Sequence, residues 1–230
     1  MWPGIFLGQF LLALSEGLAI VPATSISAIN SIEALIAATL FIHFGLQPSL
    51  ARIKDVFGLL LLITFILQPF SATFGNLALL MGSIINLQQF PTSWFSWWFG
   101  NAMGQMLITP MMLLFYASRQ QIRAIELLVV AIFFGVVGYL LLQVFSIESL
   151  SIMLSITSPL IVLVAVYKGA AFATLATAVL AVMSMHSTHI GIGVFTLNGK
   201  TNIVDLNFFI INLIILSLFI GLLVTSLKEK

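Results

Sequence analysis

The sequence contains no cysteine, which excludes disulfides, zinc–thiolate sites and thiol nucleophiles and leaves the redox compartment unread. Charge is nearly as scarce. Lys and Arg number 8 and Asp and Glu 7 in 230 residues, so charged side chains make up 7% of the chain and apolar ones 61%. An ordinary soluble domain has roughly 25% and 45–50%. So few charges cannot cover the surface of a soluble 25.1 kDa protein, and most of the chain must face lipid. A net charge of +1 carries no nucleic-acid footprint. No Gly/Ser linker, charge block or low-complexity tract divides the chain, so residues 1–230 read as a single integral-membrane domain. Walker, dinucleotide-binding, HExxH and GxSxG patterns are missing as well. The sequence therefore supports no catalytic residue, no cofactor and no enzymatic activity.

What the chain has is long apolar runs. A helix needs about 20 apolar residues to cross a hydrocarbon core of about 30 Å. Eight runs meet this near Trp2–Ile20, Pro22–Phe44, Val56–Met81, Trp94–Tyr116, Ala124–Phe145, Leu150–Tyr167, Gly169–His186 and Leu206–Leu227. The runs are continuous rather than alternating, which argues against a transmembrane β-barrel. The expected fold is all-α, a polytopic transmembrane bundle of about eight spans. The charges support an even count. Arg52, Lys54, Arg119, Arg123, Lys168, Lys228 and Lys230 follow even-numbered spans, and the opposite links hold only Lys200, near Asp205. Basic residues favour the cytoplasmic side, so both termini are expected there. The N-terminus has neither the basic flank nor the cleavage site of a secretory signal.

Small residues suggest where helices approach closely. Gly4/Gly8 and Gly100/Gly104 form GxxxG pairs, and Gly169, Ala173, Thr177 and Ala181 form a ladder along the seventh run. Trp94, Trp97 and Trp98 are placed to anchor the fourth run at an interface. Gln68, Pro69 and Ser71 interrupt the third run and predict a kink lined by polar groups, because Pro frees a backbone carbonyl.

A carboxyl deep in a bilayer is expensive and faces a bundle interior or water. Glu16 and Glu33 are the carboxylates most deeply placed by position, and Asn30 lies three residues before Glu33 on the same helix face. Asn101 and Gln105, four apart, share a face with Trp97. Asn30, Glu33, Trp97, Asn101 and Gln105 are the candidate ligand-binding or signalling residues, and interhelical hydrogen-bond glue is the alternative reading of the polar ones. Glu16 lies near an outer end, and His43 near the end of its helix, where it complements the dipole. His186 and His189 are three apart with no third ligand, so no metal site is assigned. Asn198-Gly199 between β-favouring runs is a hairpin signal in the longest link.

Several blocks, taken in order, resemble one family: Trp2-Pro3-Gly4-Ile5-Phe6-Leu7-Gly8, Asn30-Ser-Ile-Glu33-Ala34, Ser71-Ala-Thr-Phe-Gly75, Trp97-Trp98-Phe99-Gly100-Asn101-Ala102-Met103-Gly104, Thr109-Pro110 and Lys168-Gly169-Ala170-Ala171. The family is the bacterial membrane-associated sensor domain of the first type. The likeness runs nearly end to end, with the WW-x-G-x-x-x-G block its most specific part. Asn101 stands where the family pattern has an acidic residue. The family's apolar, Pro-rich leading segment is not seen before Trp2-Pro3-Gly4, and the chain stops at Lys228-Glu229-Lys230, where an output domain would begin. A free-standing sensor, a truncated product and a fragment all fit these ends.

The resemblance implies a sensory input domain of the bacterial inner membrane. It would detect an unknown signal and relay it to a fused or separate histidine kinase, diguanylate cyclase or phosphodiesterase module. Its partners are then the lipid bilayer and such a module, with a homodimer also open and nucleic acid excluded. The competing reading is a small multi-span transporter or substrate-binding membrane subunit. Transporters show broken helices in matching positions of two repeats. Here Pro69 marks one interrupted span, and Thr109-Pro110 is a weak counterpart.

Overall fold

The computed structural model describes residues 2–120, 122–144, 149–197 and 200–228. The helices are α1 (Trp2–Ser15), α2 (Ile20–His43), α3 (Ile53–Leu62), α4 (Gln68–Met81), α5 (Phe90–Ser118), α6 (Ala124–Tyr139), α7 (Leu150–Lys168), α8 (Ala170–His189) and α9 (Ile203–Lys228). A π-helical turn over Ile63–Leu67 joins α3 to α4 into one rod, and a second, Leu140–Val144, extends α6. The nine helical segments among the described residues therefore make eight rods, in line with the eight apolar runs. Among the described residues six rods are long and apolar enough to cross a membrane: α2, α3–α4, α6 with its π turn, α7, α8 and α9. The chain is an all-α multi-pass membrane protein. The strands β1 (Thr196–Leu197) and β2 (Lys200–Thr201) pair antiparallel, Thr196 opposite Thr201. They flank the Asn-Gly hairpin signal, although Asn198 and Gly199 themselves lie outside the described residues, as do Glu229 and Lys230.

Local chemistry moves several boundaries away from the apolar runs. The first run was expected to reach Ile20, but α1 stops at Ser15. Gly17 takes the left-handed conformation (φ 85°), and the amides of Gly17 and Leu18 return to the carbonyls of Leu14 and Ala13. This is a Schellman cap, which Gly accepts without Cβ strain. Gly45 (φ 59°) ends α2 in the same way. At the start of α5, Asn86 and Gln89 cap each other reciprocally at 2.9 and 3.0 Å. At the start of α9 the Asn202 side chain accepts from the Asp205 amide at 3.2 Å and donates to the Asp205 carboxylate at 2.8 Å. Such pairs occupy amides that would otherwise be orphaned at a helix start, so both helices begin before their apolar runs.

The chain forms two compact units, Met1–Leu46 with Phe57–Gln105 and Gln47–Val56 with Met106–Lys230. In the first, α1 packs on α2 and α2 on α4, around Ala23, Ile26, Ile63, Leu67 and Ala72. In the second, α8 lies against α6, α7 and α9, and 61% of its most apolar stretch is buried, against 22–44% for the other spanning rods. Ala173, Thr177 and Ala181 are at most 1% exposed, and the Thr177 hydroxyl reaches the Leu213 carbonyl of α9 at 3.4 Å. The small-residue ladder is thus the packed face of α8, where the absence of bulk lets backbones approach. The GxxxG pairs behave differently. A Cβ built on Gly4, Gly8, Gly100 or Gly104 meets no heavy atom within 4 Å, so these glycines do not mark close helix crossings. Buried hydroxyls at Ser27, Ser31, Thr157 and Thr188 turn back to carbonyls four residues earlier, each at 2.7 Å. That satisfies them without a partner helix.

Candidate ligand-binding cavity

In the first unit, the π turn decides how α4 presents its polar side chains. Within the widened register the Gln68 amide bonds the Ile63 carbonyl, five residues back. Pro69 brings no N–H. The Thr64 carbonyl is therefore left without a main-chain donor from residue 68 or 69, and the Trp98 indole N–H of α5 donates to it at 2.8 Å. The expected kink is a π turn whose freed carbonyl is filled by a tryptophan. Trp94 likewise donates to the Thr73 hydroxyl at 2.9 Å. The Trp97 ring lies so close to Gly75 that a Cβ there would sit 2.7 Å from it. The three indoles, expected as interfacial anchors, are held against the α3–α4 rod.

Gln68 follows the π turn directly and is fully buried. Its side-chain N–H donates to Glu33 Oε1 at 2.9 Å, and Gln105 of α5 donates to the same oxygen at 2.6 Å. One carboxyl oxygen of α2 thus ties together three helices. Glu33 itself is 5% exposed. One turn away, the Ser71 hydroxyl of α4 donates to Asn30 Oδ1 at 3.2 Å. Desolvating a carboxyl without donors would cost several kcal/mol, of order 2–7 for a neutral polar group and more for a charge. The two amides offset part of that cost.

Beside this network lies a cavity of about 440 Å³, lined by Ile5 and Gln9 of α1, Asn30, Glu33, Ala34 and Ala37 of α2, and Gly100, Asn101, Gly104 and Gln105 of α5. Its polar lining is one carboxyl and four amides, with no basic or aromatic side chain. Gly100 and Gly104 are part of its wall, which explains why a Cβ on either would meet open space. Of the five residues singled out by sequence, the structure brings Asn30, Glu33, Asn101 and Gln105 to this cavity. Trp97 is placed elsewhere, against Gly75. Gln68 and Ser71 were legible only as polar residues at a kink; their bonds to Glu33 and Asn30 depend on which helices meet.

The remaining polar candidates lie apart. Glu16 is exposed in the turn after α1, and His43 is exposed at the last residue of α2 with its ring edge-on to Phe44. Helix α8 continues through both His186 and His189, and both are exposed. Among the described residues no group of three His, Cys, Asp or Glu could hold a metal. In the second unit, fully buried Asp55 takes Arg52 through Nε and Nη2 at 2.8 and 2.6 Å, plus the backbone amides of Gln47 and Arg52. The hydrogen bond to Asp55 pushes the Arg52 guanidinium up from its ordinary value. Lys168 pairs with Glu126 at 3.0 Å, largely in the open.

The sequence model of one family, described as MASE1, matches residues 1–228. Neither curated proteins nor solved structures returned a match.

Proposed function

The chain belongs to the MASE1 family, a family of membrane-associated sensor domains, and from that premise we propose that the Glu33 cavity is where its signal is received. The single observation that supports this most is a buried carboxyl held by amides from two other helices at the edge of a cavity of small-molecule size. A ligand that engages Glu33 competes with Gln68 and Gln105 for it, and so changes how firmly α4 and α5 are held to α2. A ligand shifts a conformational equilibrium only by its differential affinity for the two states, and a contested hydrogen-bond hub supplies such a difference. Gln105 stands on α5, which also carries Trp94 and Trp98 against α3–α4, so a displacement at Gln105 is felt along that packed part of the helix.

The finer assignments complete the reading. The whole chain acts as one non-catalytic input domain in the bacterial inner membrane, with both termini in the cytoplasm, as the clustering of Arg52, Lys54, Arg119, Arg123 and Lys168 in alternate links favours. Its output partner is a histidine kinase, diguanylate cyclase or phosphodiesterase module. The test joins the chain through its C-terminal end to a cytoplasmic diguanylate cyclase. Gln105→Leu, which cuts the α5 bond to Glu33, should leave the protein folded and shift cyclase output from the wild-type level. A folded Gln105→Leu protein with wild-type output would contradict the sensory role of this network.

A further inference from the structure

We propose that the Glu33 cavity takes a small organic cation bearing N–H donors, an ammonium or guanidinium, and this inference rests on the reading of that cavity as the receiving site. The first argument is charge. Two acids in the described residues are buried, Glu33 and Asp55. Asp55 has a guanidinium against it. Glu33 has neutral donors beside it, the Gln68 and Gln105 amides and the Ser71 hydroxyl, and no basic side chain lines its cavity. A buried carboxylate without a counter-charge is unfavourable, and a cationic ligand supplies what is lacking. An anionic ligand would meet a like charge and no compensating cation.

The second argument is the balance of donors and acceptors. Gln68 and Gln105 both turn their N–H groups to Glu33, which leaves their carbonyl ends as acceptors. Gln68 Oε1 is buried without a hydrogen-bond partner, although Gln68 stands behind Glu33 and does not line the cavity. An ionised carboxyl is acceptor-only, so a ligand that brings N–H donors fits the lone pairs that Gln68 and Gln105 leave open on Glu33.

The third is shape. A cavity of about 440 Å³ lies in the usual small-molecule range of about 300–1,000 Å³, far beyond the needs of a bare ion. It contains no aromatic side chain, so nothing in the wall builds the cage that recognises a quaternary ammonium. Its glycine wall at positions 100 and 104 supplies the room.

The test uses the purified full chain in detergent, with ethanolamine, putrescine and agmatine as ammonium or guanidinium probes. Choline, erythritol and sodium chloride at matched ionic strength are the controls. Binding to the folded state raises the melting temperature in a saturable way. The expected result is such a shift for at least one N–H-bearing cation, with none for the controls. Glu33→Gln should raise the apparent Kd at least about ten-fold. Gly104→Leu, which fills the cavity without touching the Glu33 bonds, should keep the ligand-free melting temperature and lose the shift. A shift that survives in Glu33→Gln, a shift of equal size with erythritol or choline, or none with any cation would overturn the proposal. If the cations fail while the cyclase fusion still responds to Gln105→Leu, the ligand class falls and the sensory reading stands. If the cations bind while the fusion is indifferent, the reverse holds.

Discussion

Trp98→Phe tests the physical role assigned to the π turn. The indole N–H donates at 2.8 Å to the Thr64 carbonyl, which gets no main-chain donor from Gln68, whose amide bonds Ile63, or from Pro69. At membrane depth no bulk water replaces the lost donor. An unsatisfied buried acceptor costs about 1–3 kcal/mol, added to the smaller loss of ring area from indole to phenyl. Trp94→Phe is the matched control. It loses a similar ring area and a bond of 2.9 Å, but its acceptor is the half-buried Thr73 hydroxyl, which is free to rotate back to its own helix as the buried hydroxyls do. Trp98→Phe should therefore be less stable than Trp94→Phe by about 1–3 kcal/mol, measured by equilibrium unfolding in mixed micelles. Pro69→Ala in the Trp98→Phe background restores an N–H beside the orphaned carbonyl and should recover part of the difference. Equal costs for the two tryptophans, or no recovery, would refute the carbonyl-filling role.

Other expectations follow from the packing and from the charged end of the second unit. Ala173→Leu in the fully buried face of α8 should cost about 1–3 kcal/mol by overpacking, while Val182→Leu, at a position 55% exposed, should leave the melting temperature unchanged. Gly221→Ala puts a Cβ 2.5 Å from that of Ala170, so it should destabilise the protein in thermal unfolding, and Ala170→Gly in the same chain should restore it. Asp55→Ala should lower the melting temperature more than Arg52→Ala, because it strands the backbone amides of Gln47 and Arg52 as well as the guanidinium.

The eight rods were legible because lipid demands continuous apolar length, and that demand is written locally. Their ends were less legible, since Gly17, the Asn86–Gln89 pair and the Asn202–Asp205 pair set them by hydrogen bonding rather than hydropathy. The spacing of Asn30 with Glu33, and of Asn101 with Gln105, gave the helix faces that meet the cavity. It could not give Gln68, because periodicity says which residues share a face of one helix and nothing of which helices meet. For the same reason Gly100 and Gly104 read as a crossing motif, although the space above them is a cavity. Trp97 shared the Gln105 face on paper, yet it packs on Gly75, some two turns along the helix from Gln105.

Glu33→Gln set beside Glu33→Ala tests the central claim, that the Glu33 carboxyl acts in signalling beyond its part in packing. Gln keeps the size of the side chain and its capacity to hydrogen-bond while removing the charge, and Ala removes both. The measurement is cyclase output of the fused chain, with the melting temperature of each variant determined on the same preparation. The account predicts that Glu33→Gln stays folded, with a melting temperature near wild type, and loses the regulated output, whereas Glu33→Ala also loses stability. A folded Glu33→Gln protein with wild-type regulated output would contradict the account and leave Glu33 as packing glue.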